Sequence, residues 1–541
     1  MPKAGASTLF ELVKSLSQTE KRYFKVFLQK YVKGDSDLYA SLFDAIDRQS
    51  RNSRDPSSGP LKDGLSQERS GKDYDESKLK SFPHLAVMKV RLEEYILWGL
   101  RDYHSEKSIR EKIKRDIRSI EILFNKNLFE HAKKIIAKAK KTAAHYEEFL
   151  SLFELYKWEL KMINAESFAS VSDTELKKIY RDAASCLEKT LNAHQYALFC
   201  DMVYHRVRKY GFFRNEAKLK SFGKFMKNPL LQSAAKAESL NAKYYFHSTH
   251  IGFASLQGKY PVSLKHNREI LDELEKHPHL IQEEPRQYLS MKQNMVVWQY
   301  HLKEYSQALV SLEKLKLFIT HQRANLSENL FSRTFYYANT VLLYVYSRLG
   351  MFEKGAQSVN LFKKEFENFG VHPQNKETEW MFNDAMIVIY FGAGKYSESV
   401  KCLNKIIQDK EGAIRSDIQC MTRIFSLIVH YEMGNQELLR YMVKWTYRYL
   451  IKRNRLYKFE TIILEFIGKK SLHMNTRQQA VEAFKELKDE LEKLLPDKFQ
   501  RRPLDDFEYI EWLESKIQNK PFAEVVREKR REKSRLSASN I

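Results

Sequence analysis

Chemistry in this 541-residue chain would have to start from side chains that hold a phosphate, hold a metal ion or attack a carbon centre. Gly392-Ala-Gly394-Lys395-Tyr396-Ser397 looks like the end of a phosphate-binding loop. The glycine needed five places before Gly394 is Ile389, however, and the residue after the lysine is Tyr396 in place of Ser or Thr. His247 and His250 share a helix face, and His277 and His279 flank Pro278, but zinc wants a third and a fourth ligand and the sequence shows none at comparable spacing. These histidines read as ordinary surface or core residues. Cys200 and His205 would point to different faces of a helix, so no nucleophile and base are paired there. G-x-S-x-G, H-E-x-x-H and dinucleotide-binding fingerprints are all missing. The chain is therefore expected to be non-enzymatic, with no catalytic residues, no cofactor and no metal.

Residues that could bind are more prominent. In Tyr441 to Leu456, helical spacing brings Lys444, Arg448, Lys452 and Arg455 onto one basic stripe, with Met442, Trp445, Tyr449 and Leu456 on the neighbouring face, expected to pack on the adjacent helix. Cations beside aromatics suit phosphate or carboxylate groups. A second concentration, Lys107, Arg110, Lys114 and Arg118, runs beside the apolar stripe Ile109, Ile113, Ile117, Ile120 and Phe124. The next helix adds Lys133, Lys134, Lys138, Lys140 and Lys141. Such a face could meet nucleic acid electrostatically or serve only solubility.

Composition bounds the architecture. The length exceeds what one hydrophobic core supports, so several domains or an array that grows core repeat by repeat is required. Apolar residues make up 43%, while 18 Gly and 12 Pro are few for the turns of an all-β chain. The formal charge of +23 attracts acidic partners. Glu11 and Lys14 interrupt any apolar stretch in Met1 to Gln18, and runs such as Met386 to Phe391 fall far short of the roughly 20 residues that span a bilayer. Four scattered cysteines, Cys186, Cys200, Cys402 and Cys420, suit reduced thiols. A cytoplasmic chain without a membrane span is expected.

The elements that would position these residues recur. Gly258, Gly350, Gly394 and Gly434 each stand two places before an anchor that opens an amphipathic helix: Tyr260, Phe352, Tyr396 and Gln436. Tyr305 is a fifth anchor, without the glycine. From Tyr260 through Tyr305, Phe352 and Tyr396 to Gln436 the steps are 45, 47, 44 and 40 residues. Three places after the anchors come Ser263, Ala308, Gly355, Ser399 and Leu439, mostly small, which lets two helices approach closely. A left-handed glycine ends one helix and turns the chain into the next. Upstream, Phe129 and Ala132 repeat the anchor and small residue 131 places before Tyr260, which leaves room for two units between them. Their second helices are expected to begin near Val171 to Leu176 and Phe213 to Ala217.

At these positions the chain resembles the tetratricopeptide-repeat (TPR) superfamily over roughly Ser105 to Tyr457, with a period near 44 in place of 34. The resemblance implies an all-α, TPR-like α-solenoid of helical hairpins whose inner face, made by the first helix of each hairpin, holds a partner. Asn294, Asn339 and Asn383 are the inner-face candidates. The family's clamp for acidic peptide termini is not carried over, because the places flanking Asn294 are Ser248, Gly252, Tyr337 and Val341. Ser15 to Lys25 and Phe507 to Ser515 are also similar to a group of long, uncharacterised helical proteins of Bacteroidetes bacteria, which implies no function.

Flanking the array at 105–460, residues 1–104 are expected to form a small N-terminal helical domain. It is opened by the capping box Ser17-Gln-Thr-Glu20 and interrupted by a mobile loop at about 49–77. Residues 461–526, with Phe484, Leu487, Phe507 and Trp512, are expected to cap the last repeat, and 527–541 to be a disordered basic tail. The expected role is a scaffold or adaptor for a protein or peptide; the alternative is a nucleic-acid-binding or peptide-sensing regulator.

Overall fold

The computed structural model describes residues 4–49, 79, 82–105, 108–169, 171–210, 213, 215–323, 325–373, 375–409, 416–474, 476–497 and 499–538. Among them the chain forms α-helices and short 3-10 turns and no strand, so the fold is all-α. None of the described helices is long and apolar enough to cross a membrane. The chain divides into two compact units, Met1–Cys186 and Leu187–Ile541.

Unit one begins with α1 (Ala4–Ser15), α2 (Gln18–Tyr31), α3 (Ser36–Arg48) and α4 (Leu85–His104). The capping box forms at the head of α2: the Ser17 amide donates to Glu20 Oε2 at 2.8 Å, and the Glu20 amide to Ser17 Oγ at 3.3 Å. Phe24, Phe27 and Leu28 then enter a core with Leu42, Phe43, Ile46, Leu92 and Ile96. Each such side chain contributes about 1.5–3 kcal/mol on burial. Apart from Gln49, the expected mobile loop lies outside the described residues.

α5 (Ile109–Asn125), α6 (Phe129–His145), α7 (Phe149–Ala165) and the start of α8 (Asp173–Tyr210) follow. Their core joins Ile113, Ile117, Ile120, Ala132, Ile136, Leu155 and Met162 to Cys186. The helices of residues 1–104 fall in the same compact unit as these. The second helices expected near Val171 to Leu176 and Phe213 to Ala217 begin at Asp173, the head of α8, and at Glu216. No Gly or Pro occurs between Asp173 and Tyr210, so α8 runs unbroken for 38 residues.

Unit two contains the rest of α8, α9 (Glu216–Phe222) and three 3-10 turns over 223–236. Those turns are tied to α8 by side chains: Asn192 Nδ2 donates to the Lys236 carbonyl at 3.0 Å, and the Tyr196 hydroxyl to the Leu230 carbonyl at 2.9 Å. Helix pairs come next: α10 (Leu240–Leu256) with α11 (Tyr260–Glu275), then a short α12 (Pro278–Glu283), α13 (Pro285–His301) with α14 (Tyr305–His321), and α15 (Glu328–Arg348) with α16 (Phe352–Asn368). α17 (Lys376–Gly392) pairs with α18 (Tyr396–Ile407), and α19 (Ser416–Glu432) with α20 (Gln436–Lys452). Every anchor opens its second helix. The four glycines have φ between 68° and 73°, and Lys303, in the copy that lacks glycine, has φ 65°. In each turn the amide after this left-handed residue donates back across five residues, as Lys395 does to the Tyr390 carbonyl at 2.8 Å and Glu304 to the Gln299 carbonyl at 2.9 Å. The small residues are needed: Ser399 Oγ donates to the Ile387 carbonyl at 3.1 Å, and a Cβ on Gly355 would come within 2.4 Å of Ile389 Cδ1.

The C-terminal helices are α21 (Lys458–Gly468), α22 (Arg477–Glu492), α23 (Arg502–Asp506), α24 (Tyr509–Gln518) and α25 (Phe522–Ala538). They do more than cover the last hairpin. Phe507 packs its ring 5.6 Å from Phe391 and 4.7 Å from Phe425, and Phe522 lies 5.3 Å from Phe352, so the segment folds back on α16, α17 and α19. Buried Arg348 donates from Nη1 to Glu508 at 2.7 Å, while Arg530 donates from Nη2 to the same carboxylate at 3.1 Å and from Nε to the Arg348 carbonyl at 2.8 Å. This corrects the expected tail: residues from Arg527 to Ala538 belong to α25, because Arg530 completes a buried ion-pair network. Removing one partner of such a network strands a charge, at a cost of about 3–5 kcal/mol.

Candidate functional site

Stacking the first helices of successive pairs leaves a cleft of about 330 Å³ in unit two. α13 supplies Val297, Tyr300 and His301, α15 supplies Tyr337, Val341 and Tyr344, and α17 and α19 add Met381, Asp384, Asp417 and Met421. α23 enters from the C-terminal segment with Arg502, Pro503 and Asp506. The lining is thus aromatic and aliphatic with charges of both signs at its margin.

The polar groups are held in place. The Tyr344 hydroxyl lies 2.7 Å from Asp384 Oδ2 and 3.0 Å from the Met381 carbonyl; burial and that carboxylate hold its phenol well above the usual range. The Tyr300 hydroxyl accepts from Arg348 Nε at 2.6 Å, linking the cleft to the buried network. His301 stacks on Tyr260 with ring centroids 4.4 Å apart. Desolvation, and then Arg502 and Arg348, push its imidazole down to about 3, so it stays neutral. Asp506 is exposed at the cleft; desolvation by the surrounding protein raises its carboxyl, against the pull of Arg502 and Arg348.

The inner-face asparagines are placed differently from the expectation. Asn339 is fully buried and accepts from Lys316 Nζ at 2.9 Å; Asn383 is buried and donates to the Glu379 carbonyl at 2.9 Å. Asn339 is turned against α14, because the face of α15 that meets the cleft carries Tyr337, Val341 and Tyr344, while Asn383 bonds back into its own helix α17. Asn294 is half-buried near Tyr204. Nothing in the asparagine spacing distinguishes the two faces of α15. Tyr337, Val341 and Tyr344 at i, i+4 and i+7 are the available signal.

The basic stripe splits. Lys444, Arg448 and Lys452 are exposed on α20, but the helix stops at Lys452, Asn454 turns left-handed at φ 53°, and Arg455 lines the cleft. Trp445, expected to pack inward, is 67% exposed, and Tyr441 is 64% exposed. Thr446 and Leu450 take the buried face, and Tyr449 donates to Gln419 Oε1 at 2.6 Å. At about 100° per residue, Tyr441, Trp445, Arg448 and Lys452 fall within roughly 60° of one another.

The basic hairpin of unit one is partly neutralised. Arg110 pairs with Glu148 at 2.9 Å, Lys114 with Glu111 at 3.0 Å and Arg118 with Glu121 at 2.5 Å. Lys133 and Lys140 pair with Glu166 and Glu159. Lys134, Lys138 and Lys141 are exposed, and Lys107 lies outside the described residues. The apparent phosphate loop is a helix turn: Gly394 has φ 70°, a Cβ on Gly392 would strike the Phe352 ring at 2.2 Å, and Lys395 reaches Glu353. All four cysteines are buried, and burial pushes the Cys200 thiol up to about 12 and that of Cys420 to about 11, which removes nucleophilic thiolate at neutral pH. Compared with known proteins, the chain matches no family model, no curated protein and no solved structure.

Proposed function

We propose that residues 187–541 act as a TPR-like scaffold or adaptor, without catalysis, that holds a segment of a protein partner in the cleft between α13, α15, α17, α19 and α23. The cleft carries this reading. Its volume of about 330 Å³ suits one or two anchoring side chains, and an apolar lining with a few oriented polar groups is the usual make-up of a recognition pocket. The tyrosines offer broad contact area at small entropic cost, and Asp384, Asp506 and Arg502 sit where a peptide's charges and backbone would pass.

A second reading rests on α20. Exposed Tyr441 and Trp445 beside Lys444, Arg448 and Lys452 form the aromatic and cationic surface that stacks bases and neutralises phosphates.

One set of titrations separates the two. Linear peptides selected on the full-length chain should lose at least about tenfold in affinity when Met421→Lys fills the cleft. The triple variant Lys444→Glu, Arg448→Glu, Lys452→Glu should leave them unaffected. Peptide binding indifferent to Met421→Lys removes the cleft from consideration. A wild-type chain that fails to bind a single-stranded oligonucleotide at low salt removes the α20 reading.

A further inference from the structure

The turn at Gly258 sets the antiparallel register of α10 and α11, with Ser263 Oγ donating to the Ile251 carbonyl at 3.0 Å. One turn further from that contact along each helix, His247 of α10 meets His266 of α11, and Glu269 follows His266 at i+3 on the same face. His247 Nδ1 lies 3.1 Å from His266 Nδ1, and Glu269 Oε2 lies 3.6 Å from the first nitrogen and 3.3 Å from the second. Among the described residues this is the group whose ligand atoms converge closely enough to hold a metal ion.

We propose that His247, His266 and Glu269 bind a divalent transition-metal ion of the zinc class, with a fourth coordination position open to water.

The three edges are those of one face of a coordination tetrahedron. A point about 2 Å from all three atoms exists ~0.7 Å out of their plane, which is where zinc sits when three protein ligands leave one apex free. Two nitrogens and one carboxylate oxygen form a borderline-soft set that favours zinc, cobalt or nickel over magnesium and calcium. Two Nδ1 atoms at hydrogen-bond distance require a proton on one of them; a metal ion replaces that proton and lets both rings carry hydrogen on Nε2. Access is from one side: the Glu269 side chain is 42% exposed, against 10% for His247.

The surroundings hold the ligands still. His250 stacks on His266 with centroids 4.7 Å apart, and its own Nε2 donates to the Leu231 carbonyl at 3.0 Å. Phe246 packs 5.1 Å from the His247 ring. The carboxylate one turn beyond Glu269 on α11, Glu273, is already engaged by Lys243 and by Lys276.

The test uses the full-length chain stripped of metal by chelation and dialysis. Cobalt should give the visible absorption of a tetrahedral site, zinc should displace it at one ion per chain, and zinc should raise the unfolding temperature. His266→Gln and the more exposed, fold-neutral Glu269→Gln should each weaken zinc binding at least about tenfold and abolish the thermal shift. His277→Gln and His279→Gln, at another pair of histidines, should leave both readouts unchanged. A wild-type chain that takes up no cobalt or zinc overturns the proposal, leaving His247 and His266 as a proton-sharing pair. So does uptake that survives in Glu269→Gln and His266→Gln but is lost in the His277 and His279 variants.

Discussion

The hairpins between Leu240 and Lys452 and the single helix α8 are both helical and both amphipathic in part. One stretch reverses direction at every anchor, and the other continues as one helix for 38 residues. The difference lies in one backbone position per repeat. In each hairpin turn, the amide after the left-handed residue reaches back five residues and caps the exposed carbonyls, so the helix stops without leaving them unsatisfied. α8 has no such residue and no glycine or proline to supply one. A regular period is therefore not sufficient to make a hairpin; the local stop must be present in each copy.

Three substitutions probe this contrast. The largest effect is expected from Leu191→Pro at an exposed position in α8. It removes a hydrogen bond and crowds the preceding turn, for a loss of about 3 kcal/mol, to be read from urea unfolding and from hydrogen exchange of the α8 amides. Near-wild-type stability would mean that α8 tolerates a break as the hairpins do. A smaller loss, about 1–2 kcal/mol, is expected for Gly394→Ala. A Cβ there has nothing within 4 Å, so the backbone conformation alone is strained. No change in the unfolding midpoint would show that the left-handed residue does not define the turn. The smallest effect, a gain of about 0.5 kcal/mol, is expected for Lys303→Gly, which relieves φ 65° but frees the unfolded chain. A loss of stability there would set the fifth copy apart from the other four.

The same contrast explains which parts of the fold and the site were legible. Turn chemistry acts over about five residues, so Gly258, Gly350, Gly394 and Gly434 announced their helix ends, and Tyr260, Phe352 and Tyr396 their helix starts. The apolar spacing of Phe24, Phe27 and Leu28 likewise announced a buried face. Face selection was harder. Asn339 and Tyr337 stand two places apart on α15, yet one is buried against Lys316 and the other lines the cleft. Which of them turns inward depends on neighbours far along the chain. His247 reads as an ordinary residue from spacing along its own helix, because His266 and Glu269, which converge on it, lie across the hairpin on α11.

Local chemistry in the sequence determined that this protein is helical, where most of its turns fall and which side chains are small at the helix crossings. Tertiary structure decided the rest. The Arg348–Glu508 pair joins residues 160 places apart, α23 enters a cleft built from four earlier helices, and α25 is ordered by Arg530 in place of a frayed end. These contacts form only when distant helices are already packed, because desolvating an arginine or a carboxylate is unfavourable until its partner is in place.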